Sequence, residues 1–201
     1  MDEFALPPRK PRIEDLLAMP DEQRFHEFYD GVLLRRATPS GEHGTAQSRV
    51  VSCFGPTFDR RSGNDGRGGW WIMTEVEIAL GSSVIVRPDV VGWRRDNAPE
   101  RPSGFPVALR PDWVCEVVSD AKPAVDTVKK ARIYHRAGIP HCWLVDPRDA
   151  SLRVLRWDPA GYVQVLGAER GETVEPEPFQ SVKLEVGVLF GDDPSDENET
   201  K

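Results

Sequence analysis

The N-terminal third of the chain switches between helical and strand-like spacing of its apolar positions. Residues 13–19 (IEDLLAM) predict one or two turns of amphipathic helix, which Pro20 ends. The stretch RFHEFYDGVLLRRAT predicts two short strands joined at the turn dipeptide Asp30-Gly31. From about residue 41 to residue 61, apolar side chains recur every three or four positions, which predicts a helix with one apolar face. Pro56 lies inside this helix and is expected to kink it.

The middle of the chain predicts strands separated by a long loop. WWIMTEVEIAL (70–80) alternates from Met73 onward, and VIVRPDVVGW (84–93) is mostly apolar, so each stretch predicts one strand. Residues 94–111 are polar and rich in proline, and loops of that length in compact domains are more often functional than idle. The run WVCEVV (113–118) then predicts a buried strand.

The C-terminal half predicts a strand–helix–strand unit followed by a hairpin. A helix from about residue 123 to residue 137 is stopped by Gly138 and Pro140 and leads into the strand HCWLVDP. The runs SLRVLRW and YVQVLG, separated by DPAG, predict a hairpin. This order of elements predicts one mixed β-sheet flanked by helices, with additional β-hairpins, in the α/β (α+β) class.

Length and charge bound the domain organisation. The chain has 201 residues, which is enough for one domain with a substantial core, and residues 13–190 are predicted to form it. Residues 1–12 are predicted to be an extended, proline-rich lead. Residues 191–201 hold five acids and one lysine and are predicted to be a disordered acidic tail. Because that tail carries more than half of the net charge of −7, the body is only mildly acidic, and any nucleic-acid function needs a local site.

Several classes of protein are disfavoured by composition. No apolar run approaches the roughly 20 residues needed to span a bilayer, and the N-terminus has acids and prolines where a secretory signal needs basic and apolar residues. The sequence therefore predicts a cytoplasmic protein without a membrane partner. Cys53, Cys115 and Cys142 are widely spaced and odd in number, which argues against a disulfide framework and against a C-x-x-C zinc site.

Two acids, Asp89 and Glu116, are embedded in apolar runs that predict strands. An ionised carboxylate in such a place is costly unless it is paired. If the two strands are neighbours, their carboxylates come within ~5 Å on one face of the sheet, and they cannot both stay ionised without a cation. Mg²⁺ (or Mn²⁺) is the ion that fits one or two carboxylates, waters and a substrate phosphate. The alternative is that each acid pairs with a nearby arginine.

Asp112 also follows a proline, but it is not expected to share an ion with Glu116. Four residues of extended chain separate the two acids by ~13 Å. Asp112 is therefore predicted to be a turn or strand-start residue.

Helix geometry distinguishes the two adjacent lysines of the helix at 123–137. At roughly 100° per residue, Lys130 falls inside the broad apolar arc, between Tyr134 and Ala137, whereas Lys129 falls on the opposite, solvent side. An inward lysine needs a carboxylate, and the preceding strand supplies Glu116. The alternative is a simple helix pair between Lys130 and Asp126 one turn earlier, worth a few tenths of a kcal/mol.

These features resemble the PD-(D/E)XK nuclease superfamily and, more specifically, the Uma family of restriction endonucleases. In the superfamily the lysine usually stands two residues after the strand glutamate, where this chain has Val118. In the Uma family it has moved to the following helix, where Lys130 stands. The resemblance implies a restriction-endonuclease-like core of about four or five strands with helices on both sides. The matching stretches, in order, are HEFYDG, Pro88-Asp89, CEVVS, Asp126-x-x-x-Lys130-x-x-x-Tyr134-x-x-x-Gly138 and CWLVDP.

The resemblance also implies roles for the acids and the lysine. Asp89 and Glu116, together with the backbone carbonyl of Val117, would bind Mg²⁺ (or Mn²⁺). Lys130 would orient the attacking water and stabilise the charge that develops on the phosphate.

Two further residues and the activity follow from the same resemblance. Glu27 and His43 match family positions from which either could assist the metal or the water; His43 could equally be a polar residue at a helix N-terminus. The implied function is a metal-dependent endonuclease that hydrolyses DNA phosphodiester bonds, with a homodimer as the expected assembly. The alternative function is a non-enzymatic nucleic-acid-binding or protein-interaction module that retains the nuclease fold.

Overall fold

The computed structural model describes residues 9–29, 31–63, 67–119, 121 and 123–195. The helical elements in these residues are α1 (Ile13–Leu17), a 3₁₀ turn (Asp21–Gln23), α2 (Gly41–Phe58), a π-helical segment (Val125–Lys130), α3 (Ala131–Arg136) and a 3₁₀ helix (Val186–Phe190). The strands are β1 (His26–Tyr29), β2 (Val32–Arg35), β3 (Trp70–Thr74), β4 (Ile78–Ala79), β5 (Ile85–Val86), β6 (Val90–Arg94), β7 (Trp113–Val117), β8 (His141–Asp146), β9 (Ser151–Arg156), β10 (Val163–Glu169), β11 (Thr173–Val174) and β12 (Leu184–Glu185).

Three sequence predictions fall partly outside the described residues. These are the lead up to residue 8, Asp30 of the predicted hairpin turn, and the tail from residue 196 onward. Inside the described part of the tail, the Ser195 hydroxyl donates a 2.7 Å hydrogen bond to Glu185. The division of the chain into lead, domain and tail stays a prediction.

A six-stranded mixed sheet organises the molecule, in the order β10-β9-β8-β7-β6-β3. The parallel pair within it is β7 with β8, and the other neighbours are antiparallel. This parallel pair is the predicted strand–helix–strand unit, because parallel neighbours need a crossover and α3 supplies it. The predicted fold class is confirmed, although the sheet has six strands where four or five were expected.

Helices cover both faces of the six-stranded sheet. On one face α2 buries Ala46, Val50, Phe54 and Phe58 against a layer of tryptophans. On the other face the helix ending in α3 buries Ile133 and Tyr134 against the apolar side chains of the central strands. The apolar face predicted for α2 is therefore confirmed. The helix ends at Phe58, three residues short of the predicted end, and Pro56 lies in its last turn.

Close packing on the α2 face depends on the glycine in the middle of β6. A Cβ on Gly92 would lie 3.0 Å from the ring of Trp113 and 3.2 Å from the ring of Trp70. These contacts are tighter than ordinary van der Waals packing, so the two tryptophans can approach β6 only because residue 92 has no side chain.

A second, four-stranded sheet (β2-β1-β5-β4) corrects two of the strand predictions. VIVRPDVVGW was predicted as one strand, but it contributes β5 to this sheet and β6 to the larger one. Pro88 lies at the break, where it has no N–H to donate to a ladder. WWIMTEVEIAL likewise splits into β3 and β4, and Glu75 at that break has a left-handed backbone with φ of 57°. Both chain segments thus cross from one sheet to the other beside Asp89.

Three further predictions concern Asp112, the cysteines and membrane-spanning helices. Asp112 accepts hydrogen bonds from the backbone N–H of Arg94 (2.8 Å) and from the Asn97 side chain (2.7 Å) at the start of β7, which confirms it as a strand-start residue. The three cysteines are unpaired, as predicted. Among the described residues, none of the helices combines the length and hydrophobicity that a bilayer-spanning segment needs.

Candidate active site

The ends of β6 and β7 bring Asp89 and Glu116 side by side. The antiparallel register pairs Val90 with Cys115, so the next position along the ladder sets Asp89 opposite Glu116. Residues opposite one another in an antiparallel pair project from the same face. The backbone N–H of Val117 donates a 2.7 Å hydrogen bond to Oδ2 of Asp89, which fixes this carboxylate against the end of β7. The strand neighbourhood expected for the two acids is therefore present.

Lys130 joins the acids from the helix. Its Nζ lies 2.9 Å from Oε2 of Glu116 and 3.0 Å from Oε1 of Glu27. The inward orientation predicted from helix winding is thus observed, even though the turn around Lys130 is π-helical instead of α-helical. Lys130 thus pairs with these two glutamates instead of with Asp126, whose Oδ2 accepts a 2.9 Å hydrogen bond from the backbone N–H of Ser119.

The exposure of Val128 and Lys129 shows which way this helix faces. Val128, which stood at the edge of the predicted apolar arc, is 42% exposed, so this end of the predicted face is wrong. It lies about half a turn from Lys130, so turning the lysine inward turns Val128 outward. Lys129 is exposed, as predicted.

The Tyr134 hydroxyl donates a hydrogen bond to Oε1 of Glu116. Both side chains are almost completely buried. Sequence reasoning assigned Tyr134 to the apolar face and gave it no polar role. Its spacing, four residues after Lys130 on the same helix face, was the available signal. Each oxygen of Glu116 therefore has its own donor, Lys130 on one and Tyr134 on the other.

Glu27 reaches the site from β1, in the smaller sheet. Its Oε1 also accepts a 2.8 Å hydrogen bond from the backbone N–H of Arg87, two residues before Asp89. The side chain of Arg87 binds Glu77 at 2.7 Å, and Glu77 also binds Arg24 at 2.7 Å. This buried network ties the smaller sheet to the Pro88-Asp89 segment.

His43 lies near the N-terminus of α2 and contacts Asp89. Its Nε2 is 3.2 Å from Oδ1 of Asp89, and its backbone N–H donates to the helix-capping Ser40. His43 thus contacts Asp89 and also lies at a helix N-terminus, and its role in assisting the metal or the water stays a prediction.

Three neighbours of Asp89 were not found from the sequence. Arg36 lies 3.4 Å from Oδ1 of Asp89 and also binds Glu75, and the Gln47 side chain donates to the backbone carbonyl of Asp89 at 3.0 Å. No spacing rule links these positions, since they come from the segment after β2, from α2 and from the end of β3. The suggestion that an arginine pairs with an acid is therefore met in part at Asp89.

Burial and crowding of like charges shift the ionisation of the acids unequally. Burial raises the pKa of Glu116 well above its usual range, and the ammonium of Lys130 only partly opposes this. Burial also raises the pKa of Asp126. At Asp89 burial acts in the same direction, but the hydrogen bond from His43 and the charge of Lys130 outweigh it and hold the pKa below its usual value.

The two basic groups are held in their charged forms. Burial would lower the pKa of Lys130, but the carboxylates of Glu116 and Glu27 raise it well above its usual value. Asp89 likewise raises the pKa of His43 against the effect of burial. Lys130 is therefore an ammonium at neutral pH, bound on two sides by carboxylates.

The donor atoms of the cluster fit a divalent cation. Glu27, Asp89, Glu116 and Asp126 are all buried, and the cations beside them are Lys130 and, at Asp89, His43 and Arg36. Within the described residues, no group of three or more His, Cys, Asp or Glu side chains is arranged to hold a metal. Mg²⁺ needs only one or two carboxylates, and each carboxylate oxygen of Glu116 has a lone pair beyond its present contact. The donor set thus fits a hard cation bound through Asp89 and Glu116.

All of the predicted site residues line one cavity. Its volume is about 870 Å³, and its wall contains Asp89, Glu116, Val117, Lys130, Glu27 and His43. Cavities of this size hold substantial ligands, and clusters of perturbed titratable groups in them are typical of functional sites.

Comparisons with known proteins identify the fold and the family of the chain. The structure is similar to the crystal structure of a putative nuclease belonging to DUF820 from Anabaena variabilis, with a TM-score of 0.71 at 20% identity over 90% of this chain and 97% of that one. At this identity the likeness shows the fold. None of the curated proteins matches the chain. The family model Uma2, described as "Putative restriction endonuclease", matches residues 13–187, and the chain therefore belongs to the Uma2 family.

Proposed function

We propose that the protein is a metal-dependent endonuclease that hydrolyses phosphodiester bonds of DNA. The observation that carries the proposal is the buried ammonium of Lys130, which lies 2.9 Å from Glu116 beside Asp89 in the cavity of about 870 Å³. Membership of a family described as restriction endonucleases supports the same chemistry.

Asp89 and Glu116, with the carbonyl of Val117, would hold Mg²⁺ or Mn²⁺. When bound, such an ion makes water more acidic and neutralises charge on the phosphoryl oxygens. The raised pKa of Glu116 supports this assignment, because burial raises it and the negative charges of the neighbouring acids raise it further. A cation at Glu116 would relieve that repulsion.

Lys130 would donate a hydrogen bond from Nζ to a phosphate oxygen or to the attacking water. Its raised pKa keeps the proton on Nζ throughout the neutral range, so it acts as a fixed positive charge. Glu27 and Glu116 hold this ammonium in place, since both carboxylates lie within hydrogen-bond distance of it.

His43 and Tyr134 would orient the carboxylates. The His43 ring holds one oxygen of Asp89, and the Tyr134 hydroxyl holds one oxygen of Glu116. Carboxylates fixed in this way keep their remaining lone pairs directed into the cavity, as positioned ligands require.

Cleavage of supercoiled and single-stranded DNA tests the proposal. Wild type is expected to nick or linearise DNA in Mg²⁺ or Mn²⁺, and Asp89→Ala and Lys130→Ala are expected to lose at least about a hundredfold in rate. Lys183→Ala is the control and should keep the wild-type rate, because Lys183 is exposed and does not line the cavity. If the wild type is as inert as the variants and calorimetry shows no metal binding, the protein is instead a binding module with the nuclease fold.

We also propose a homodimer, because cleavage of both strands of a duplex is most simply done by two sites related by a twofold axis. Light scattering after size-exclusion chromatography measures the mass directly. A strictly monomeric protein that cuts duplex DNA would contradict this assembly.

A further inference from the structure

The solvent face of the helix that carries Lys130 is basic. Lys129, Arg132 and Arg136 are exposed on this helix. The one acid between residues 123 and 137 is Asp126, and it is buried. The helix therefore presents three positive charges and no negative charge to solvent, in a chain whose net charge is −7.

These three cations line a groove between the β1–β2 hairpin and α3. The groove has a volume of about 220 Å³, and we call it the hairpin–helix groove. Its hairpin wall is formed by Tyr29, Val32 and Leu34, and its helix wall includes Lys129, Arg132 and Arg136.

The hairpin–helix groove adjoins the candidate active site. Tyr29 and Leu34 line both this groove and the cavity that holds Asp89 and Glu116. On the helix side, Lys129 is the direct neighbour of Lys130. A ligand long enough to leave the active-site cavity along the helix would thus pass the three cations next.

The spacing of the cations suits a phosphate backbone. Seven residues separate Lys129 from Arg136, which corresponds to ~10 Å along a helix. Phosphates of one DNA strand advance by ~3.4 Å each along the duplex axis, so a row of cations of this length that lies along the axis passes about three of them. Arginine and lysine are also the side chains that contact nucleic-acid phosphates most.

Tyr29 gives an independent sign of a ligand at the shared wall. Its side chain is 2% exposed, and its hydroxyl has no hydrogen-bond partner in the described residues. A buried hydroxyl left without a partner is destabilising and uncommon in native proteins. A phosphate oxygen or a phosphate-bound water that reaches the hydroxyl after a small movement of the Tyr29 side chain would supply the partner.

We infer that the hairpin–helix groove binds the backbone phosphates of a DNA strand on one side of the bond held in the active-site cavity. This inference rests on the proposed nuclease function. It adds the path of the strand and assigns Lys129, Arg132 and Arg136 as its phosphate contacts.

Another basic surface of the described chain provides a matched control. Arg94 and Arg101 lie over the rings of Trp70 and Trp71, and Arg94 pairs with Asp96 at 3.5 Å. Arg94 is at the opposite end of β6 from Asp89, ~16 Å away along the strand. With the exposed Arg61, these arginines allow removal of three positive charges that do not line the groove.

The test is DNA binding measured by fluorescence anisotropy in the presence of a chelator, over about 50 to 200 mM salt. The groove variant carries Lys129→Gln, Arg132→Gln and Arg136→Gln. The control variant carries three Arg→Gln changes, at residues 61, 94 and 101. Because no cleavage is needed, the binding result stays readable even if the protein proves catalytically inert. Circular dichroism establishes that both variants fold.

The groove variant is expected to bind DNA at least about tenfold more weakly and to lower the slope of log K against log salt by about two to three. The control variant should change affinity by less than about twofold. Equal losses in both variants would overturn the inference, because net charge alone would then explain them. Unchanged binding in the groove variant would also overturn it.

Two further experiments test whether the bound phosphate belongs to DNA or to a small anion, and whether the Tyr29 hydroxyl takes part in binding. Inorganic phosphate should compete with DNA only weakly; full displacement by millimolar phosphate would make the groove a site for a small anion and overturn the DNA assignment. Tyr29→Phe should weaken DNA binding without lowering the melting temperature, because its hydroxyl has no partner in the described residues to lose. Wild-type affinity in Tyr29→Phe would contradict the inference that a phosphate lies at the wall shared by the groove and the cavity.

Discussion

Lys130→Met removes the ammonium from the buried carboxylate cluster and keeps most of the side-chain volume. Lys130 is 5% exposed at its side chain and contacts Glu116 at 2.9 Å and Glu27 at 3.0 Å. Removing one partner of a buried ion pair leaves an uncompensated charge and is destabilising by about 3 to 5 kcal/mol. We therefore expect Lys130→Met to lower the free energy of unfolding at neutral pH by about this amount.

The loss should depend on pH with a definite sign. The raised pKa of Lys130 means that its contribution is fully present below the ordinary pKa of lysine, and so throughout the range from about pH 5 to about pH 8. In the variant, the carboxylate of Glu116 can still take up a proton, and its pKa is already raised by burial in the wild type. Protonation removes the unpaired charge, so the destabilisation should shrink as the pH falls toward 5.

Urea denaturation at several pH values measures both effects, with Lys129→Met as the control. The exposed Lys129 should change the free energy of unfolding by no more than about 0.5 kcal/mol at any pH. The reasoning fails if the two lysine variants lose the same small amount, or if the loss at Lys130 is independent of pH. The m-values of the variants should equal that of the wild type, because a changed m-value indicates a different unfolded or native state and not a changed stability alone.

Three further changes test other parts of the fold, each by thermal or urea unfolding. Tyr134→Phe should cost about 1 to 2 kcal/mol by leaving one oxygen of Glu116 without its donor, and a loss near zero would contradict that hydrogen bond. Glu77→Gln should cost about 3 kcal/mol or more because the buried Arg24 and the half-buried Arg87 lose their shared carboxylate. It should also slow DNA cleavage, because Arg87 lies two residues before Asp89. Gly92→Ala should cost about 1 to 3 kcal/mol because the added methyl group overpacks two tryptophan rings. Gly44→Ala is the control and should be neutral or stabilising, because its added Cβ meets nothing within 4 Å. Equal effects at the two glycines would contradict this packing argument.

The acids of the site were identifiable from the sequence because burial makes them conspicuous. A carboxylate inside an apolar strand has few structural explanations, and both Asp89 and Glu116 carry this signal. Lys130 was identifiable because helix periodicity separates it from Lys129. The π-helical turn did not spoil that inference, because the π-helical segment ends at Lys130 and the residues after it, Ala131–Arg136, are α-helical, so Lys130 keeps α-helical spacing to Tyr134.

The partition of strands between two sheets could not be predicted in the same way. Apolar residues continue on both sides of Pro88, because β5 and β6 are each buried, in different sheets. Hydrophobic pattern reports burial and does not report which sheet provides it. Tyr134 was missed for a related reason, since an aromatic residue on an apolar face fits the core whether or not its hydroxyl has a partner.

The net charge of the chain is a poor guide to what a nucleic acid would meet at this site. Four of its acids, Glu27, Asp89, Glu116 and Asp126, are buried around Lys130 and add to the formal charge without facing solvent. Screening limits exposed charges to a range of about 8 to 10 Å at physiological salt, so a strand in the groove responds to the cations beside it and only weakly to distant acids. The buried acids would attract a divalent cation and the basic helix face would attract phosphates. The two charge patterns are therefore compatible with one ligand, a phosphodiester with its metal ion, in spite of the acidic isoelectric point.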